Sequence, residues 1–207
     1  MNNFTGVTVV GLTGQTGAGK STVSEIFLKN GFAVINADIV SRTVVEKGTK
    51  CLDEIAGFFG DSILNDDRSL NRKALGDIVF SDKVKLETLN TIIYPYITGE
   101  ILRQIKKYAD SGTSFILLDA PTLFESRSDD FCDIIISVVA EPDTRKQRII
   151  SRDGLTEEQA LNRMNSQLDE EFFRSHSDYI IDNNGSVEDV REISRELADK
   201  IMNCYHN

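Results

Sequence analysis

VTVVGLTGQTGAGKSTVSEIF, residues Val7–Phe27, carries the strongest structural signal in the chain. Its first seven residues, Val7–Thr13, are an apolar, β-branched run of the kind that forms a buried strand. Lys20–Asn30 places Val23, Ile26 and Phe27 on one side of a helical repeat, which predicts a helix with a single apolar face. Between them, Gly14-Gln15-Thr16-Gly17-Ala18-Gly19-Lys20-Ser21 matches G-x-x-x-x-G-K-[ST] with nothing missing. Glycines let the backbone curl until successive N–H groups point inward at phosphate oxygens. The helix N-terminus adds partial positive charge, Lys20 reaches the β- and γ-phosphates, and Ser21 offers a hydroxyl to Mg²⁺. The plain alternative is a glycine-rich turn before a helix. A buried strand before the loop and a helix after it favour the nucleoside triphosphate site. Gly14, Gly17, Ala18, Gly19, Lys20, Ser21 and Thr22 are then the residues that hold ATP.

Outward from this segment, Gly31 ends the helix and Phe32–Asn36 reads as a second strand. From Asp38 to about Asp110 the apolar residues recur at three- and four-residue steps, interrupted by a turn at Asn65-Asp66-Asp67. Ser114–Ala120 and Cys132–Ala140 are nearly continuous Ile, Leu and Val, the mark of strands covered on both faces. Helices are predicted over Pro142–Arg152 and Thr156–Leu168, a short strand over Tyr179–Asp182, and a last helix over Ser186–Met202. Alternating strands and helices imply an α/β fold with a parallel sheet of about five strands and right-handed crossovers. With the glycine loop, this is the three-layer P-loop NTPase arrangement. One domain spans residues 1–207, with a core of 1–43, 111–142 and 176–207. A helical insertion covers about 44–110 and a small helical lid about 143–175.

The chain has 207 residues, 23 basic against 33 acidic, and a net charge of −10, which disfavours nucleic acid as a partner. A small phosphorylated ligand needs only a local basic cluster. No apolar run approaches the roughly 20 residues of a membrane span. The opening Met-Asn-Asn-Phe-Thr has no basic leader region, and Cys51, Cys132 and Cys204 form neither a disulfide framework nor a zinc site. A reducing cytoplasm fits these cysteines. The sequence carries no signal for an oligomeric state.

Two carboxylates stand out. Asp119 closes the strand FILLD, where it either contacts Mg²⁺, directly or through water, or caps the turn near Pro121. Asp38, just after the second strand, lies at the carboxyl edge of the sheet. It is either a base for an attacking hydroxyl or the N-cap of the next helix. No Asn-Lys-x-Asp tetrad is present, so a GTPase is disfavoured. Arg145, Lys146, Arg148 and Arg152 recur at helical spacing after the fourth strand. They form either a clamp on a transferring phosphoryl group or a solvated helix face. An acceptor-holding insertion and an arginine-bearing lid point to a small-molecule kinase.

The chain resembles the dephospho-CoA kinase family over nearly its full length. The resemblance rests on GLTGQTGAGKSTV, VINADIVSR, LNRKALGDIVFSD, LNTIIYPYI, LLDAPTLFES, RIISRDGLTEEQALNRMNSQ and SDYIIDNNG in this order and spacing. It implies ATP-dependent phosphorylation of the ribose 3′-hydroxyl of dephospho-CoA, the final step of coenzyme A biosynthesis. It places Asp38 at the catalytic aspartate, Arg72 and Phe80 in the acceptor subdomain, and Pro121, Leu123, Phe124 and Glu125 around the acceptor. Arg148 and Arg152 fall in the lid, and Asn183 near the adenine. Gln167 and Arg163 either face the site as well or are polar residues of a helix surface. Three positions depart from the family pattern. Asn36 stands where aspartate is usual, Tyr94 where histidine precedes the proline, and Thr122 where leucine is usual. Tyr94 still hydrogen-bonds or stacks but cannot become cationic near neutral pH. Two other functions share parts of this pattern: a nucleoside or nucleotide monophosphate kinase, and an ATP-sensing module with little turnover. Intact Lys20, Ser21, Asp38 and lid arginines weigh against the sensor.

Overall fold

The computed structural model describes residues 6–205. The opening Met-Asn-Asn-Phe-Thr lies outside the described residues. The apolar runs become β1 (Thr8–Gly14), β2 (Ala33–Asn36), β3 (Phe115–Asp119), β4 (Ile134–Val139) and β5 (Tyr179–Asp182). They form one five-stranded sheet in the order β2-β3-β1-β4-β5. β1 runs parallel to β3 and to β4, and β4 parallel to β5, as the alternating pattern predicts. The helices are α1 (Lys20–Lys29), α2 (Ala37–Thr43), α3 (Lys50–Phe59), α4 (Arg72–Val79) and α5 (Lys83–Asp110), then α6 (Pro142–Asp153), α7 (Glu157–Asn165), α8 (Glu170–Ser175) and α9 (Val187–Cys204).

The chain forms two compact units. One contains the residues up to Ile35 and those from Ile105 onward; the other is Asn36–Gln104. In the first, alternate strand residues (Val10, Leu12, Phe115, Leu117, Ile136) point to one side of the sheet. There they bury against Val23 and Phe27 of α1 and Leu197 and Ile201 of α9. Phe32 ties this cluster together, its ring 4.8 Å from Phe27 and 5.4 Å from Phe115. Each such side chain contributes about 1.5–3 kcal/mol on burial. Val9, Ile116 and Leu118, at the intervening positions, are buried too, so the sheet is covered on both faces.

The helical unit has its own core of Val45, Cys51, Ile55, Ile63, Leu75 and Val79, flanked by Leu86, Leu89 and Ile92. Thr49 caps α3 and Asn71 caps α4, each side chain accepting from a backbone N–H three residues on. The turn expected at Asn65-Asp66-Asp67 is closed by Asn65 N donating to Ser69 O at 2.9 Å. This unit starts at Asn36 and so takes in α2.

Two expectations are corrected. Cys132 does not open the fourth strand: it follows a 3-10 turn at Ser128–Phe131, and β4 starts at Ile134. The helix expected over Thr156–Leu168 stops three residues early, and a further short helix, α8, lies beyond the expected range. Thr156 and Gln159 make a capping box for α7, which stops at Asn165. Asp169 then caps α8 by accepting from Phe172 N at 2.8 Å.

Candidate active site

The loop between β1 and α1 is fixed by close contacts with its neighbours. A Cβ on Gly14 would run into the Val138 carbonyl of β4, and one on Gly19, at φ 95°, into the Asn183 amide. Neither position accepts a side chain. Gln15 N donates to Val138 O at 3.3 Å and Ala18 N to Gln15 O at 3.0 Å, which fixes the curl. α1 then starts with no side-chain cap and no acidic residue in its first turn. Its leading N–H groups and positive dipole end are therefore not offset by the helix's own side chains.

Residues at the carboxyl ends of β3 and β5 complete the surroundings of the loop. Asp119 closes β3, almost fully buried, and its carboxylate forms an ion pair with Lys20. It does not cap the turn at Pro121. Asn183, the residue after β5, is also buried. Its backbone N donates to Val139 O at 2.8 Å and its Nδ2 to Ala18 O at 2.7 Å. Arg148 of α6 reaches the same place, with Nη2 3.3 Å from Asn183 Oδ1 and Nη1 3.4 Å from the Gly17 and Ala18 carbonyls. Gly19, Thr22, Arg148, Asn183, Val187 and Val190 line a small pocket beside the loop.

The four basic residues expected as one cluster are separated by their partners. Arg145 is buried and donates to Ala140 O at 3.0 Å; burial holds its guanidinium pKa below the usual value. Lys146 pairs with Glu157 and Asp143. Arg152 binds Asp153 at 2.8 Å, and Arg163 of α7 binds the same carboxylate at 2.8 Å. Arg148 alone of the four sends its side chain to hydrogen-bond the phosphate loop; Arg145 faces Gly17 only with its backbone. The correction is physical: helical spacing gives the face of a side chain but not the acids that compete for it. Gln167 reaches the loop as well, where Thr16 N donates to its Oε1 at 2.6 Å.

The predicted acceptor residues fall in both units. In the helical unit, Asn36 caps α2, its Oδ1 accepting from Ile39 N at 3.0 Å. Asp38 is therefore not the N-cap; it lies exposed in the first turn of α2. Arg72 opens α4, Phe80 follows it with 81% of its surface exposed, and Tyr94 is half-buried on α5. In the sheet-bearing unit, Pro121 O accepts from Thr13 Oγ1 at 3.2 Å. Leu123, expected in a pocket wall, is fully buried and packs toward Gly11, so it presents no surface to a ligand. Phe124 packs edge-on against Phe172 at 5.2 Å, and Phe172 stacks on His176 at 3.9 Å. Desolvation of the Glu125 carboxyl raises its pKa above the usual carboxylate value. Sequence patterns missed the Lys20–Asp119 pair and the Thr16–Gln167 bond, since neither pair is close in sequence.

A family model described as Dephospho-CoA kinase matches residues 8–189. The chain belongs to the dephospho-CoA kinase family. The dephospho-CoA kinase of Listeria innocua is 40% identical over 194 residues, covering 94% of this chain and 97% of its own. A crystal structure from Thermus thermophilus superposes with a TM-score of 0.80 at 27% identity, over 93% of this chain and 97% of that one. The dephospho-CoA kinase of Campylobacter jejuni gives 0.72 at 29% identity, over 93% and 96%. The span matched by the dephospho-CoA kinase model takes in the phosphate loop, the whole helical unit, α6–α8 and Asn183. Among the described residues no three His, Cys, Asp or Glu side chains gather into a metal site, and no helix is long and apolar enough to cross a membrane.

Proposed function

We propose that this chain transfers the γ-phosphoryl group of ATP to the ribose 3′-hydroxyl of dephospho-CoA, giving CoA and ADP, the final step of coenzyme A biosynthesis. The observation that carries this reading is the family match across residues 8–189, phosphate loop and helical unit included. The loop amides and Lys20 hold the β- and γ-phosphates, Gly14, Gly17, Ala18 and Gly19 shape the curl, and Thr22 and Asn183 border the nucleoside. Asp38 takes the proton of the attacking hydroxyl, a task suited to an exposed carboxylate that caps no helix. Arg148 and Arg152 offset the charge of the group in transit. Arg72, Phe80, Tyr94, Pro121, Phe124 and Glu125 hold the acceptor, with Leu123 supporting them from the core. The insertion over about 44–110 receives that acceptor, and 143–175 serves as the lid.

Mg²⁺ suits the oxygens present. Ser21 offers an exposed hydroxyl and Asp119 a carboxylate. Mg²⁺ at kinase sites takes one or two carboxylates together with substrate phosphates, so no cage of three acids is required. When bound with ATP, the ion neutralises charge that develops on the β- and γ-oxygens. The partners are the small molecules ATP and dephospho-CoA, met in the cytoplasm, where free thiols such as Cys51 persist.

The test is ADP release from ATP with dephospho-CoA, AMP, CMP or no acceptor. Turnover that depends on dephospho-CoA alone is the expected outcome. Turnover with AMP or CMP but not dephospho-CoA would replace the acceptor, and none with any of them would leave an ATP-binding module.

A further inference from the structure

We propose that Gln167 is a positioning residue for phosphoryl transfer, the latch that ties the end of α7 to the phosphate loop. The inference rests on the kinase reading above. Thr16 N donates to Gln167 Oε1 at 2.6 Å, across 151 positions of sequence. Its neighbours in the loop are satisfied differently: Gln15 N by β4 and Ala18 N by the loop itself. Thr16 takes its partner from the connection between α7 and α8.

That connection is not loose. Gln167 N donates to Met164 O, Ser166 Oγ donates to Arg163 O at 2.9 Å, and Asp169 begins α8 as its cap. The glutamine is thereby fixed to the end of α7. One turn back, Arg163 holds Asp153, and Asp153 holds Arg152 of α6. Arg148, one turn before Arg152, reaches the loop carbonyls of Gly17 and Ala18. The two helices therefore hydrogen-bond to the loop at two points, a cation on carbonyls from α6 and an amide oxygen on an N–H from the end of α7, while the Arg145 backbone and Ile149 of α6 pack against Gly17. α6 is seated on the loop by its own contacts, whereas the end of α7 is tied to it through Gln167, which sets the orientation of Arg163, and of the Arg152–Asp153 pair it holds, relative to the loop.

Glutamine fits this task chemically. Its neutral carbonyl accepts from an amide without placing negative charge beside a polyphosphate, as a glutamate would. Asparagine is one methylene shorter and does not span the distance.

Gln167→Ala and Gln167→Asn should lower kcat at least about tenfold, the scale of a misplaced catalytic group, with KM for ATP within about twofold. KM holds because the other loop amides and Lys20 are untouched. Gln167 is only half-buried, so losing its bond should lower the unfolding temperature by no more than about 6 °C in either variant. By hydrogen exchange the Thr16 amide should exchange faster in both. Gln167→Glu should keep slow exchange at Thr16 yet raise KM for ATP, more so at low salt. A kcat within about twofold of wild type in both short variants, or unchanged Thr16 exchange, overturns the proposal. So does a rise in KM for ATP with kcat unchanged. Should the wild-type chain show no dephospho-CoA-dependent turnover, the functional reading fails instead, and the exchange comparison then decides the latch by itself.

Discussion

Lys20→Met tests how the site is held together before any chemistry. The substitution removes one charge from a pair whose other side chain, Asp119, is 5% exposed, while Lys20 itself is 16% exposed. The carboxylate is left at the end of β3 with no cation. Deleting one member of a buried pair costs about 3–5 kcal/mol. The partial exposure of Lys20 admits some water, which places the cost near the lower end, about 3 kcal/mol. For a chain of this size each kcal/mol lowers Tm by about 2–4 °C, so a fall of about 6–12 °C follows. Asp119→Leu should cost less, because the flexible lysine left behind can swing its ammonium to water. Removing both charges in Lys20→Met/Asp119→Leu should restore most of the loss, giving a coupling of about 1–3 kcal/mol in a double-mutant cycle. Urea unfolding of the four proteins reads this directly, and turnover plays no part in it. If Lys20→Met unfolds within about 0.5 kcal/mol of wild type, the carboxylate does not depend on the lysine and the reasoning fails.

Three further outcomes follow from the geometry. Asp38→Asn should cut kcat by about 10²–10⁴ with KM for ATP nearly unchanged, as removal of a general base does; unchanged turnover would exclude Asp38 from that role. Asn183→Ala leaves the Ala18 carbonyl without its 2.7 Å donor and frees Arg148, at a cost of about 1–3 kcal/mol in urea unfolding and a raised KM for ATP. Wild-type stability together with wild-type KM would contradict that anchoring. Burial pushes the Cys51 thiol up to about 11 and Cys132 higher still, while Cys204 is exposed. Only thiolate reacts, so iodoacetamide at pH 8 should label Cys204 well before the other two, as read by peptide mass spectrometry. Equal labelling rates would show the burial to be wrong.

Much of the fold was legible because its signals are local. The glycine loop lies between an apolar run and an amphipathic one, and β3 and β4 are apolar nearly throughout, so strand, loop and parallel sheet all announce themselves in short windows. The short helix α8 was legible too, in Asp169-Glu170-Glu171, an N-cap followed by acids in a first turn, but its six residues are too few to show a helical period. Cys132 looked like strand because it adjoins an apolar run, and its backbone is extended, yet its N–H closes the turn on Asp129 O rather than joining the sheet. For the helix after β2, Asn36 and Asp38 are both good caps in isolation. The backbone settles the choice by starting α2 at Ala37, one residue after Asn36. What no window could show is which distant groups meet. Arg148 reaches the loop while Arg152, one turn on, is held by Asp153; Leu123 turns into the core while Phe124 beside it meets the aromatic rings of α8.

The destination of the phosphoryl group decides the function. The wild-type chain should be incubated with ATP, Mg²⁺ and dephospho-CoA, and the product analysed by mass spectrometry and phosphorus NMR. The expected product is CoA, one phosphoryl heavier than its precursor, with the new monoester on the ribose 3′-oxygen and one ADP formed for each. ATP hydrolysed without CoA, or a phosphate carried on any other oxygen, would contradict it.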